Sequence, residues 1–159
     1  RPVFHIDGIP ENPGRSRLEA RKPGSLPFAG SVALPDYALQ ICVLLSDLPS
    51  EDRGNFAVAP GEHRRVEKFV RERGADALRA GEMPPMSGRT RQIVSRAGAA
   101  VFSHYLLPHA GMGNAGPHIR YAVIFRLHHV DFMERADMDR ALRDIWLQWP
   151  GLGEMALKL

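Results

Sequence analysis

The segment 119–128 limits the choice of fold more than any other part of the chain. Ile119, Tyr121, Val123, Phe125 and Leu127 alternate without a break with Arg120, Ala122, Ile124 and Arg126. A period of two puts successive side chains on opposite faces of an extended strand. Other strand-like runs fall at 2–7, 37–46, 55–59, 90–95 and 98–105. They follow one another through Pro- and Gly-rich turns, with no regular helical crossovers to reverse the chain between parallel neighbours. This order favours an antiparallel sandwich or barrel over a doubly wound parallel sheet.

Two stretches change period. Val66, Phe69, Val70, Ala77 and Leu78 recur every three to four residues, which predicts a helix over 63–80 with a break at Gly74. Met138, Leu142, Ile145, Trp146 and Trp149 form a second apolar stripe, a terminal helix stopped by Pro150-Gly151. Residues 8–36 read as a long loop, and loops of that length in a compact domain are usually functional or disordered. Its Arg15, Arg17, Arg21 and Lys22 make it basic and suggest an anionic substrate.

Composition removes several classes of function. A chain of 159 residues with 44% hydrophobic and 25% charged side chains has the makings of one domain with a real core. The longest apolar run, Tyr37 to Leu45, falls far short of the roughly 20 residues that span a bilayer. The single cysteine, Cys42, excludes an internal disulfide and reads as a small buried hydrophobe, so a reducing, cytoplasmic setting is expected. The net charge of +3 is mild. Its densest cluster, Arg64, Arg65, Lys68, Arg71 and Arg73, is interleaved with Glu67 and Glu72 and has no aromatics spaced through it, so it reads as a solvated helix face and not as a nucleic-acid track.

Chemistry enters with His5-Ile6-Asp7. On an extended segment His5 and Asp7 share a face, and can aim one imidazole nitrogen and one carboxylate oxygen at a common point. Alone, the triplet reads more readily as a polar strand end than as a metal site. A third ligand from another strand would complete a facial triad of two histidines and a carboxylate, which leaves coordination positions open on an octahedral metal. Of the seven histidines, His109 ends the segment AAVFSHYLLPH just before a Gly-rich loop. Arg120 follows it by eleven positions (120 − 109). An arginine facing into a barrel needs an anionic partner, and a guanidinium grips a carboxylate through two parallel hydrogen bonds.

His104 lies five residues before His109 on what reads as one strand segment, and odd spacing sets it on the other face. His63 and the His128-His129 pair read as structural or exposed strand ends. Ser103-His104 points its two side chains oppositely and makes a poor nucleophile–base pair. Gly111 to Gly116 lacks the Lys-Ser/Thr of a phosphate-binding loop and reads as a connection.

Taken in order, these pieces resemble the phytanoyl-CoA dioxygenase family of iron(II)/2-oxoglutarate oxygenases. His5-Ile6-Asp7-Gly8 resembles its His-x-Asp motif. Leu45-Ser46-Asp47 and Gly54-Asn55-Phe56-Ala57-Val58-Ala59-Pro60-Gly61-Glu62-His63 resemble its Leu-x-Asp turn and Pro-Gly-Ser-His stretch. Gly98 to His109 resembles the strand leading to the distal histidine, and Asn114 and Arg120 resemble the Asn and Arg beyond it. The resemblance covers His5 to about His128. It implies a mostly β fold with flanking helices, a double-stranded β-helix of jelly-roll, cupin-like form. It implies Fe(II) held by His5, Asp7 and His109, and 2-oxoglutarate anchored by Arg120. The implied reaction couples oxidative decarboxylation of 2-oxoglutarate by dioxygen to hydroxylation of a small organic substrate.

The chain departs from the family at Gly111, where many members carry Ser or Thr, and at Glu62, where Ser is usual. Members also carry a long segment before the His-x-Asp motif. The expectation is therefore that residues 1–159 form one oxygenase domain, the C-terminal part of a longer catalytic domain. Two other readings stand beside the enzyme: a catalytically inactive β-helix binding module, and a cupin-like metal protein that does not use 2-oxoglutarate. A small-molecule substrate is expected, with no nucleic-acid or membrane partner.

Overall fold

The computed structural model describes residues 4–7, 37–80, 82–132, 137–149, 151–152 and 155. The basic loop 8–36 lies outside them. The elements are β1 (Leu39–Leu44), β2 (Phe56–Val58), α1 (Glu62–Arg73), α2 (Ala75–Arg79), β3 (Arg91–Gln92), β4 (Ala100–His104), β5 (His109–Gly111), β6 (Ala122–Leu127) and α3 (Met138–Arg143).

The strands form two antiparallel three-stranded sheets, ordered β4-β1-β6 and β3-β2-β5. Their pairings are nested. β2 pairs with β3, β1 with β4 outside that, and His5 with His109 outside both. The Leu48–Ser95 bridge lies between the first two pairs. This is one long antiparallel ribbon folded in half. The ribbon also meets itself sideways, since β2 pairs with β5 and β1 with β6. The Arg53–Asn114 bridge carries the β2–β5 register further along.

The core between the sheets follows from side-chain alternation. Gln40, Cys42 and Leu44 of β1 are buried, whereas Leu39, Ile41 and Val43 on the other face are only half-buried. Cys42 and Leu44 pack with Leu48, Phe56 and Val58, and Ile93, Val101, Leu107 and Ala122 close the cluster. Each fully buried aliphatic side chain of this kind contributes roughly 1.5–3 kcal/mol. The strand-like run 37–46 forms β1 over Leu39–Leu44, buried on alternate residues. β1 is central in its sheet but covered on one face only, and Phe102 and Phe125, which flank Ile41 on the other, are exposed.

A second core belongs to the helices. Val66 and Val70 of α1, Leu78 of α2, and Ala141 and Leu142 of α3 pack with Ile145, Tyr105 and Leu106. Arg71 Nε donates to the Arg143 carbonyl (2.6 Å), and the Tyr105 hydroxyl donates to that of Ala141 (2.7 Å). The predicted helix over 63–80 is broken at Gly74, whose φ of 87° is a left-handed conformation that only glycine adopts cheaply. The Lys68–Glu72 and Arg71–Glu67 ion pairs put the basic cluster on a solvated face, as its interleaved charges suggest.

Two expectations are corrected. The apolar stripe at the chain end is not one helix to Trp149. α3 is capped by the Asp137 carboxylate, which accepts from Arg140 N, and it stops at Arg143 because Asp144 turns extended. Residues 145–149 continue as turns, still delivering Ile145 and Trp146 to the helical core. Likewise 98–109 is not a single strand-like run. A turn at Tyr105-Leu106 ends β4 and starts β5, which joins the other sheet. Among the described residues no helix is long and apolar enough to cross a membrane.

Candidate metal centre

His5 and His109 face each other as an antiparallel pair. His5 N donates to the His109 carbonyl and His109 N to that of His5, both at 2.9 Å. Directly paired residues present their side chains on the same face of a ladder, so both imidazoles point the same way. Their ring centroids are 4.7 Å apart. His109 also pairs with Val58 on its other side, and Val58 belongs to the core between the sheets, which puts His109 at the edge of that core. Ile6 takes the opposite side and enters the helical core. Asp7, two residues from His5, returns to the face of the histidines.

The carboxylate oxygen Oδ1 of Asp7 lies 3.5 Å from His5 Nε2 and 3.7 Å from His109 Nε2. All three ligating atoms fall within 4.8 Å of one another. A metal about 2.1 Å from each of three ligands at right angles would set them about 3 Å apart, so the two histidine–carboxylate separations must close by about 0.5–0.7 Å, and the two imidazoles by up to about 1.8 Å, to grip an ion.

The donor chemistry fits a divalent transition metal. His109 Nδ1 lies 2.9 Å from the Leu107 carbonyl. A carbonyl only accepts, so Nδ1 carries the proton and Nε2 presents its lone pair to the site. Burial, against the pull of the Leu107 carbonyl and Asp7, lowers the His109 pKa and favours the neutral, ligating imidazole. For Asp7, burial would raise the pKa, but hydrogen bonds from His5 and Arg126 and the charge of Arg126 overcome it and hold the carboxyl well below the usual carboxylate range. A neutral His109 imidazole, the His5 imidazole and an ionised Asp7 carboxylate make a donor set of two histidines and one carboxylate, which suits a divalent transition metal.

The outer carboxylate oxygen is also engaged. Asp7 Oδ2 accepts from Arg126 Nη2 (2.7 Å) and Nε (3.1 Å) and from the Tyr37 hydroxyl (3.2 Å). Neither Tyr37 nor Arg126 emerges from motif spacing. A partial signal for Arg126 does exist: it shares a face of its strand with Arg120, although more than half of its side chain is exposed.

Arg120 lies just before β6, half-buried, and its charge reaches Cys42, whose thiol pKa is raised by burial and partly lowered by that cation. Cys42 faces the space between the sheets. The stem of Arg120 passes close to Gly54. Among the described residues Arg120 has no ion pair or hydrogen bond from its guanidinium. It does not join the His5–Asp7–His109 cluster.

The other histidines stand apart from the cluster. His104, the last residue of β4, and His63 of α1 bring their rings to 5.4 Å of each other by centroid, both beside Trp146. His104 Nε2 donates to the Ile145 carbonyl (2.8 Å), and Nδ1 accepts from Leu106 N (3.0 Å). Since His104 and His109 occupy different sheets, it is the turn between them, and not odd spacing on one strand, that separates them. His128 and His129 are exposed. Ser103 Oγ donates to the Gln40 carbonyl and not to His104.

No protein-family model and no curated protein matches the chain.

Proposed function

We propose that the chain is the catalytic part of a non-haem iron(II) oxygenase that uses 2-oxoglutarate, related to the phytanoyl-CoA dioxygenase family. The observation that carries this reading is the convergence of His5, Asp7 and His109 on one point from segments about a hundred residues apart. The nested ribbon wound on itself supports a double-stranded β-helix as the scaffold.

In this reading His5 and His109 hold the metal through their Nε2 atoms and Asp7 through Oδ1. Bound iron supplies the activation of dioxygen that drives decarboxylation of 2-oxoglutarate and hydroxylation of the substrate. The protein's own share is positioning. The Leu107 carbonyl fixes the His109 tautomer, and the ionised Asp7 balances part of the metal's charge. Arg120, a cation with no protein anion beside it among the described residues, takes the far carboxylate of the cosubstrate through charge-assisted hydrogen bonds. Gly111, where many members of that family carry a hydroxyl, leaves that grip to the arginine.

Anaerobic titration of Fe(II) with 2-oxoglutarate tests the reading. A weak visible charge-transfer band that requires both additions and disappears in Arg120→Ala is the expected result. Iron binding without a band would transfer the reading to a cupin-like metal protein or an inactive binding module. A folded protein that binds no iron would remove the metal centre itself.

A further inference from the structure

Resting on the metal-centre reading, we infer that Arg126 and Tyr37 are positioning residues that hold Asp7 to a single metal bond by occupying its second oxygen. The two oxygens of this carboxylate have different surroundings. Oδ1 faces both imidazole Nε2 atoms at 3.5 and 3.7 Å. Oδ2 takes two guanidinium donors from Arg126, at 2.7 and 3.1 Å, and the Tyr37 hydroxyl at 3.2 Å. A carboxylate can bind a metal through one oxygen or both, and three donors on Oδ2 tie that oxygen's lone pairs away from the ion.

The clamp is itself held. Arg126 stands opposite Gln40 in the β1–β6 ladder, on the inward face. Its guanidinium carbon lies 5.5 Å from the centre of the Tyr37 ring, within cation–π range. The Tyr37 hydroxyl is 3.2 Å from Gln40 Oε1 as well as from Asp7 Oδ2, and one proton cannot serve two acceptors. Turning the Gln40 amide so that its NH2 faces the phenol removes this conflict, with Gln40 donating to Tyr37 and Tyr37 to Asp7. Both Gln40 and Tyr37 are buried, so an unmatched group there would be costly. One sheet thus supplies the clamp, and the segment bridged to the other supplies the ligand.

The consequence is a count of open positions. With Asp7 bound through one oxygen, three protein bonds leave three of six octahedral positions, two for a chelating cosubstrate and one for dioxygen. With Asp7 bound through both, only two remain. Metal affinity alone is a poor reporter, because the Arg126 charge repels a cation while its hydrogen bonds orient the ligand. The number of carboxylate oxygens on the metal reads the orientation directly.

The test loads the protein with Co(II), an air-stable spectroscopic substitute, and determines ligation by X-ray absorption and crystallography, with visible spectra of the same samples. In the unsubstituted protein Asp7 binds through Oδ1 only. In Arg126→Met both oxygens bind and the cobalt bands shift; Arg126→Lys, which restores a cationic donor, returns the single bond and the original spectrum. Tyr37→Phe alone keeps the single bond, since two of the three donors remain. Should Arg126→Met not fold, Arg126→Leu, which also has no donor, is read in the same way. Single-oxygen ligation and an unchanged spectrum in a folded Arg126 variant overturn the clamp while leaving the metal centre intact. If the unsubstituted protein does not bind Co(II), or Asp7→Ala binds it equally tightly, the metal-centre reading falls and the clamp falls with it.

Discussion

His5 and His109 exchange two backbone hydrogen bonds of 2.9 Å, so the two imidazoles are set by the ladder itself and not by loop conformation. A site fixed by main-chain pairing is present before any ion arrives. On the proposed reading metal binding costs little ordering of the chain, and removal of one ligand leaves the pairing in place.

The first prediction follows from that independence. His109→Ala, Asp7→Ala and His5→Ala each keep the fold but lose Co(II) or Fe(II) affinity by at least about a hundredfold, measured by anaerobic calorimetry. The unsubstituted protein gains thermal stability on metal addition, about 2.7 kcal/mol at a free metal concentration 100 times Kd, and the variants do not.

The second concerns acid. Burial lowers the His104 pKa from 6.5 to about 4, against the favourable Ile145 carbonyl. Protonation at Nδ1 would also set two N–H groups against each other, since that atom accepts from Leu106 N. The unfolded chain takes up this proton at about pH 6.5 and the folded chain only near pH 4. The contribution to stability is therefore complete above about pH 6.5 and falls away as pH drops towards 4, by no more than about 3 kcal/mol. Urea unfolding between pH 7 and 4 measures it, and His104→Gln flattens that part of the profile.

Gly54→Ala gives the third. Gly54 has φ +77°, and an added Cβ would sit 3.2 Å from Cβ of Arg120. The left-handed backbone costs about 1–2 kcal/mol for alanine, and the contact pushes on the stem of Arg120. The expected outcome is a lower Tm and several-fold weaker 2-oxoglutarate binding with metal affinity unchanged, read by calorimetry with each ligand separately.

A gain is expected at Gly111. A Cβ there meets nothing within 4 Å, so a side chain fits without displacement. Gly111→Ser supplies the hydroxyl found at the resembling position in the family. One added hydrogen bond of about 1 kcal/mol tightens 2-oxoglutarate roughly fivefold, and replacing a strand glycine raises Tm as well. A higher Tm with unchanged cosubstrate affinity would place the far carboxylate elsewhere.

Much of the candidate site was legible because its parts are local. The two-residue spacing of His5 and Asp7 needs only an extended backbone to put both on one face, and the structure has them so, with Ile6 buried on the other side. Gly74 was legible as a helix break for the same kind of reason, since backbone freedom belongs to the residue itself. The split between β4 and β5 was not, because the apolar residues Tyr105, Leu106 and Leu107 read equally well as strand. What turns the chain there is the packing of Tyr105 and Leu106 into the helical core while Leu107 enters the core between the sheets.

By itself, then, the sequence determined the alternation of β6, the antiparallel order of elements, the helical period of α1 and the presence of a His-x-Asp pair, all properties of short-range geometry. Only the tertiary structure decided that β5 is a separate strand, that His109 stands opposite His5, and that Arg126 and Tyr37 close on the outer oxygen of Asp7. Those relations join residues thirty to more than a hundred positions apart. They depend on how a folded ribbon winds on itself, which burial of the whole set of apolar faces determines and no local pattern records.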